Sequence, residues 1–172
     1  MTGRMKAILA VSAATLILAG CNGSKGGGGG GGAGTGKPPA AGATQKVHVV
    51  WQAGAWKVSF NGGNPQNPST AKTTLAQNAG PTMFVVDIQG PTTASFKDPG
   101  GLDVWEGVNA KSQPQTGINS TQILGPTVSN GGKQLIFWDL NYGAPVTVNY
   151  RLNFDSGPSV DPIVDNGGGN WQ

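Results

Sequence analysis

The stretch PVTVNYRLNF, residues 145–154, alternates apolar and polar side chains without a break: Val146, Val148, Tyr150, Leu152 and Phe154 fall on one side, and Thr147, Asn149, Arg151 and Asn153 on the other. A period of two is that of a pleated strand with one buried and one wet face; wound into a helix, the same residues would scatter around the axis and leave no apolar stripe. The pattern recurs along the chain. In KVHVVWQAGAWKVSF, residues 46–60, Val47, Val49 and Trp51 and then Trp56, Val58 and Phe60 alternate on either side of Gln52-Ala53-Gly54-Ala55, which predicts a hairpin with both tryptophans in the buried register.

Further strands follow the same rule. Thr82 to Gln89 sets Met83, Val85 and Asp87 against Phe84, Val86 and Ile88. TASFKDPGGLDVWEG reads as two short strands split by the Asp98-Pro99-Gly100-Gly101 turn, and STQILGPTVSNGGKQLIFWDLNYG as strands around Asn130-Gly131-Gly132. Both registers are apolar from Leu135 to Leu140, the mark of a central strand. Val160 to Val164 is expected to add a last short strand, demoted to an edge by Pro162. Ser69 to Gln77 has no apolar stripe and is expected to be a loop between sheets. Seven or eight short strands with frequent turns predict an all-β domain, an immunoglobulin-like antiparallel β-sandwich spanning residues 45–166, although a small barrel carries the same signature.

The chain before this domain has a different character. Arg4 and Lys6 precede Ala7 to Leu18, an apolar run relieved by Ser12 and Thr15. That layout is the one a secretory signal peptide uses, and the run is short of the about 20 apolar residues that span a membrane. It ends at Leu18-Ala19-Gly20-Cys21, which resembles a bacterial lipobox. The resemblance implies cleavage after Gly20, acylation of Cys21 and attachment to the bacterial cell envelope. Asn22 in place of the aspartate of an inner-membrane retention signal implies the outer membrane rather than the inner. Two or more acyl chains anchor stably where one does not. As Cys21 is the only cysteine, no disulfide forms within the chain.

Residues 21–44 are then a tether. The segment Asn22–Thr44 holds eleven glycines, Pro38-Pro39, and no aromatic or branched aliphatic side chain. Nothing in it offsets the entropy of ordering a backbone, and its reach as a coil is roughly 25 Å. Lys37 after GAGTG has no preceding strand and no following Ser or Thr, so the glycines are not a phosphate loop. Residues 167–172 are expected to be a short flexible tail.

Charge narrows the partners. The chain carries 11 Lys and Arg against 8 Asp and Glu, and loss of Arg4 and Lys6 with the leader brings it near neutrality. The remaining cations are scattered, which excludes the basic footprint of a nucleic-acid binder.

The C-terminal sequence NYRLNFDSGPSVDPIVDNGG, with FKDPGGLDVWEG before it, resembles the DP-EP family of small bacterial all-β proteins through Asp161, Pro162, Ile163 and Val164. Asp165-Asn166 departs from the acidic residue and proline of that family's name. The resemblance implies a β fold and no defined reaction.

Candidate chemistry is sparse. His48 is the only histidine, so zinc sites built on several His or Cys ligands are excluded, and a surface position on its strand is expected. Glu106 and Asp139 are formally available as the carboxylate pair of a small glycan-acting enzyme. No catalytic residue, cofactor or established metal is assigned. Asp155, Asp161 and Asp165, with Asn166, lie in one loop-rich tail and form a speculative calcium set, though their spacing matches no calcium loop. Among the five tryptophans, Trp105 stands in the register of Asp103 beside Glu106, and these two residues are the expected ligand or partner contact. The function expected is a membrane-tethered, noncatalytic extracytoplasmic domain with a structural, assembly or protein-interaction role, partnered by other copies of itself or another surface protein. Its alternative is a surface lipoprotein that binds polysaccharide through exposed aromatics.

Overall fold

The computed structural model describes residues 42–107 and 115–168. The leader, Cys21, nearly all of the glycine-rich tether and Trp171 lie outside the described residues. The chain forms β1 (Ala43–Gln52), β2 (Ala55–Phe60), β3 (Lys72–Leu75), β4 (Thr82–Gln89), β5 (Leu102–Glu106), β6 (Ile118–Asn119), β7 (Ile123–Ser129), β8 (Gln134–Asp139), β9 (Val146–Leu152) and β10 (Ile163–Asn166). The β1–β2 hairpin turns at Ala53 and Gly54, with φ of 52° and 77°. Such a two-residue turn matches the right-handed twist of the strands it joins.

The strands make two five-stranded sheets, in the orders β2-β1-β4-β8-β7 and β3-β10-β9-β5-β6. β1 runs parallel to β4, β3 to β10 and β5 to β6, while the other neighbours are antiparallel. This overturns the immunoglobulin-like antiparallel sandwich of seven or eight strands. The domain is all-β, but its ten described strands divide into two separate sheets of mixed direction. The physical reason is connectivity: a parallel neighbour cannot be reached by a tight hairpin and needs a crossover. Between β1 and β4 the chain forms β2 in one sheet and β3 in the other.

The alternation places side chains as expected even where the topology differs. Val47, Val49, Val58, Phe84, Val86, Leu135, Phe137, Val148, Tyr150 and Leu152 are buried and share one hydrophobic cluster. Phe84 and Phe137 are register partners on β4 and β8, stacked at 4.9 Å between ring centroids. Tyr150 of the second sheet meets them edge-on at 6.3 and 5.6 Å. β8 is a central strand between β4 and β7, in keeping with its two apolar registers.

Two local expectations are corrected. The segment IVDN is not an edge: β10 pairs with β3 on one side and β9 on the other. Pro162 precedes it, at a position where a missing N–H removes no ladder bond. Within Ser69–Gln77, a 3₁₀ turn at Pro68–Thr70, capped by Asn67 Oδ1 accepting from Ser69 N, leads into the edge strand β3.

Candidate functional site

Trp51 and Trp56 are register partners beside the β1–β2 turn. Their rings meet edge-on at 5.2 Å. Trp56 is buried and stacks on Phe154 at 4.7 Å, whereas Trp51 is 40% exposed. The sequence expectation that both are buried therefore holds for Trp56 and fails for Trp51. The shared register sends both indoles to the core side, but Trp51 stands at the end of its strand, where the core stops.

Two loops complete a groove of about 330 Å³ against this pair: Pro91–Ala94 and Ser156–Pro158. Asp155 fastens them together. Its carboxylate accepts from Ser95 N at 2.9 Å and from Ser95 Oγ at 2.5 Å, and its own N–H donates to Ser95 O. These hydrogen bonds from Ser95 hold the Asp155 carboxyl below the usual carboxylate range. Behind the first loop, Lys133 Nζ donates to the carbonyls of Thr92 and Ala94. Gly132 lies so close that a Cβ there would come within 2.5 Å of Ser95 Cβ. The walls are thus tied to the turn between β7 and β8 and to each other, which favours a largely preformed groove.

The lining is chemically uniform. Besides the two indoles it consists of Pro91, Thr92, Thr93, Ala94, Ser156, Gly157 and Pro158, none of them ionisable. An indole face beside threonine and serine hydroxyls suits a neutral ligand that has an apolar face and many hydroxyls.

Of the two residues expected to make a ligand or partner contact, Trp105 is buried and Glu106 is exposed. Trp105 is only 3% exposed, under the Arg151 guanidinium at 5.9 Å from its ring, and its neighbour Asp103 is buried with Gly117 N and Asn153 Nδ2 as donors. Both registers of β5 are buried, because β9 lies beside it and Arg151 covers its outer face. Glu106 is exposed and accepts from Ser120 Oγ at 2.6 Å.

The acidic tail does not converge on a cation. Asp155 binds Ser95, Asp161 makes a two-point pair with Arg151 at 2.8 Å for each bond, and Asp165 pairs with Lys72 and accepts from Thr147. Among the described residues no group of three metal-binding side chains forms. His48 lies on the outer face of β1 with Nδ1 at 2.7 Å from Gln89 Nε2. Burial raises the Asp139 pKa and the Glu106 charge adds to it, but the Asp139 carboxyl is fully enclosed, so the two do not share an open cleft.

One cluster escaped the sequence reading. Asp139, Asn141, Asn166 and Thr82 are all buried at the end of the sheets where β1 begins. Asp139 Oδ1 accepts from Asn141 N at 2.9 Å and Asn166 Nδ2 at 2.8 Å. Asp139 occupies a core register in β8, so the carboxylate named as a formal catalytic candidate is a buried one. No protein-family model, curated protein or solved structure matches the chain.

Proposed function

We propose that the chain is a membrane-tethered, noncatalytic module of the bacterial cell envelope that binds neutral carbohydrate in the Trp51 groove. The observation that carries this reading is the half-exposed Trp51 indole on a preformed groove with uncharged, hydroxyl-bearing walls. Cys21 is the lipid attachment point, and the outer membrane is favoured over the inner because Asn22 follows it. The groove suits such a tether: Trp51 stands eight residues along β1 from Ala43, about 26 Å at the rise of an extended strand, so ligand binds far from where the tether enters.

Assembly by strand addition has less to work with. Of the edge strands, β6 has two residues and β3 four, β7 is interrupted by Pro126 and a register shift between Leu124 and Thr127, and β2 is bridged by Gln66. Short, broken or covered edges disfavour pairing with a neighbour. Polysaccharide thus replaces sister subunits as the preferred partner, with Trp51 in the place expected for Trp105.

The test is affinity electrophoresis of the full chain through gels containing neutral polysaccharides of different linkage, alongside Trp51→Ala. Retardation of the native protein by at least one neutral glycan, abolished in the variant, is the expected result. Equal mobility of both proteins on all of them would defeat the reading.

A further inference from the structure

A buried carboxylate with one satisfied oxygen demands an account of the other. Asp139 Oδ1 holds two donors, Asn141 N and Asn166 Nδ2. Among the described residues, Asp139 Oδ2 and Asn166 Oδ1 are both buried without a hydrogen-bond partner, and so are the hydroxyls of Thr82 and Tyr150. An ionised carboxylate and an amide carbonyl are both pure acceptors, so neither orphan can serve the other. Leaving two such oxygens unpaired in a low-dielectric interior is costly. A single proton removes the conflict, because a neutral acid and a primary amide present matching donor and acceptor pairs.

We propose that Asp139 is held in the folded protein as a neutral carboxylic acid, with Oδ2–H donating to Asn166 Oδ1 while Asn166 Nδ2 donates back to Asp139 Oδ1, and that this ring is a proton-controlled latch between the two sheets. When a base in solvent takes the proton, the Oδ2 donor is lost, the buried anion faces the amide oxygen, and the end of β10 loosens from β8. Asn166 is also among the residues that line a groove of about 320 Å³, with Gly107, Pro145–Thr147 and Asp165.

The surroundings favour the neutral form. Burial pushes the Asp139 carboxyl up to about 6, with the Glu106 charge at the end of β5 adding to it and the Asn141 and Asn166 hydrogen bonds opposing it. From β9 the facing group is Tyr150, whose phenol is itself pushed up by burial and then by Asp139. β4, β7 and β10 present Thr82, Ile123 and Asn166, none ionisable; Asp165 of β10 pairs with Lys72 and Thr147 instead. A metal fits less well: calcium takes six to eight oxygens, and the unpartnered oxygens here are four, Asp139 Oδ2, Asn166 Oδ1, Thr82 Oγ1 and Tyr150 Oη.

The test is carbon-detected NMR titration of the Asp139 carboxyl in the full chain in detergent micelles. Amide hydrogen exchange at Gly167 and Gly168, bonded to Leu75 O and Asn141 Oδ1, is followed in parallel. The carboxyl is expected to titrate near pH 6. Corrected for intrinsic chemistry, exchange should rise about a hundredfold between pH 4 and pH 7, the ratio implied by an acid moved from 3.8 to about 6. Asp139→Asn, whose amide keeps both ring bonds at every pH, should abolish that rise. A carboxyl that titrates below about pH 4.5 would overturn the latch, as would an unchanged rise in Asp139→Asn or a melting temperature that climbs with added calcium or sodium. Should the variant fail to fold, the titration of the unaltered chain decides alone.

Discussion

Asn166 Nδ2 donates to Asp139 Oδ1 at 2.8 Å, joining β10 of one sheet to β8 of the other through two side chains that are both buried. The bond lies at the end of the domain where β1 begins: Ala43 pairs with Thr82, and Thr82 with Asp139. Trp51 lies at the other end of β1. The Trp51 groove and the ionisable cross-sheet contact are thus separated by most of a strand's length.

Asp139 gives global stability a definite pH dependence. Its folded pKa is raised from 3.8 to about 6, so its contribution is most favourable below the unfolded value and is lost as pH rises through about 6. The loss amounts to roughly 3 kcal/mol at 1.36 kcal/mol per pH unit. Asp155 acts in the opposite sense: its carboxyl is lowered, so its contribution is present above its unfolded pKa and is lost as pH falls through the folded one. Urea denaturation from pH 4 to pH 8 should show Asp139→Asn gaining on the native chain as pH rises, then holding a constant lead above about pH 7. A lead that is the same at pH 4 and pH 8 contradicts the assignment.

The two tryptophans of the hairpin should separate stability from binding. Trp56→Ala removes a buried ring stacked on Phe154 and should cost about 3–5 kcal/mol in denaturant melts. Trp51→Ala removes an exposed ring with one edge-on contact and should cost about 1 kcal/mol while eliminating glycan retention. Comparable destabilisation by the two would mean that Trp51 is chiefly a packing residue.

Gly132→Ala tests whether the groove is held from behind. Gly132 has φ 82°, and an added Cβ would lie 2.5 Å from Ser95 Cβ, on the residue that binds Asp155 and joins the two walls. Left-handed backbone alone should cost about 1–2 kcal/mol, and displacement of Ser95 should weaken glycan retention as well. A variant that is destabilised yet binds like the native chain would show that Ser95 does not set the groove.

The parts of this fold that follow from side-chain periodicity were legible in the sequence. Alternation located the hairpin at Ala53-Gly54, the buried face of β9 and the central position of β8, because a strand's pleat assigns its faces locally. Periodicity says which way a residue points and nothing about what stands opposite, so it was silent on the parallel pairs β1–β4, β3–β10 and β5–β6 and on the interior place of β10. The same limit exchanged Trp51 and Trp105. Trp51 has the core register but outruns the core, while Trp105 has the outer register but lies beneath Arg151. Asp139 and Asn166 are 27 residues apart and carry no shared motif. Side-chain order alone establishes that the chain makes strands and, for β1, β4, β8 and β9, which face the core takes. Only the tertiary structure decided which strands are neighbours, and with that which indole meets solvent and which carboxyl is shut away from it, because both depend on contacts between segments far apart in the chain.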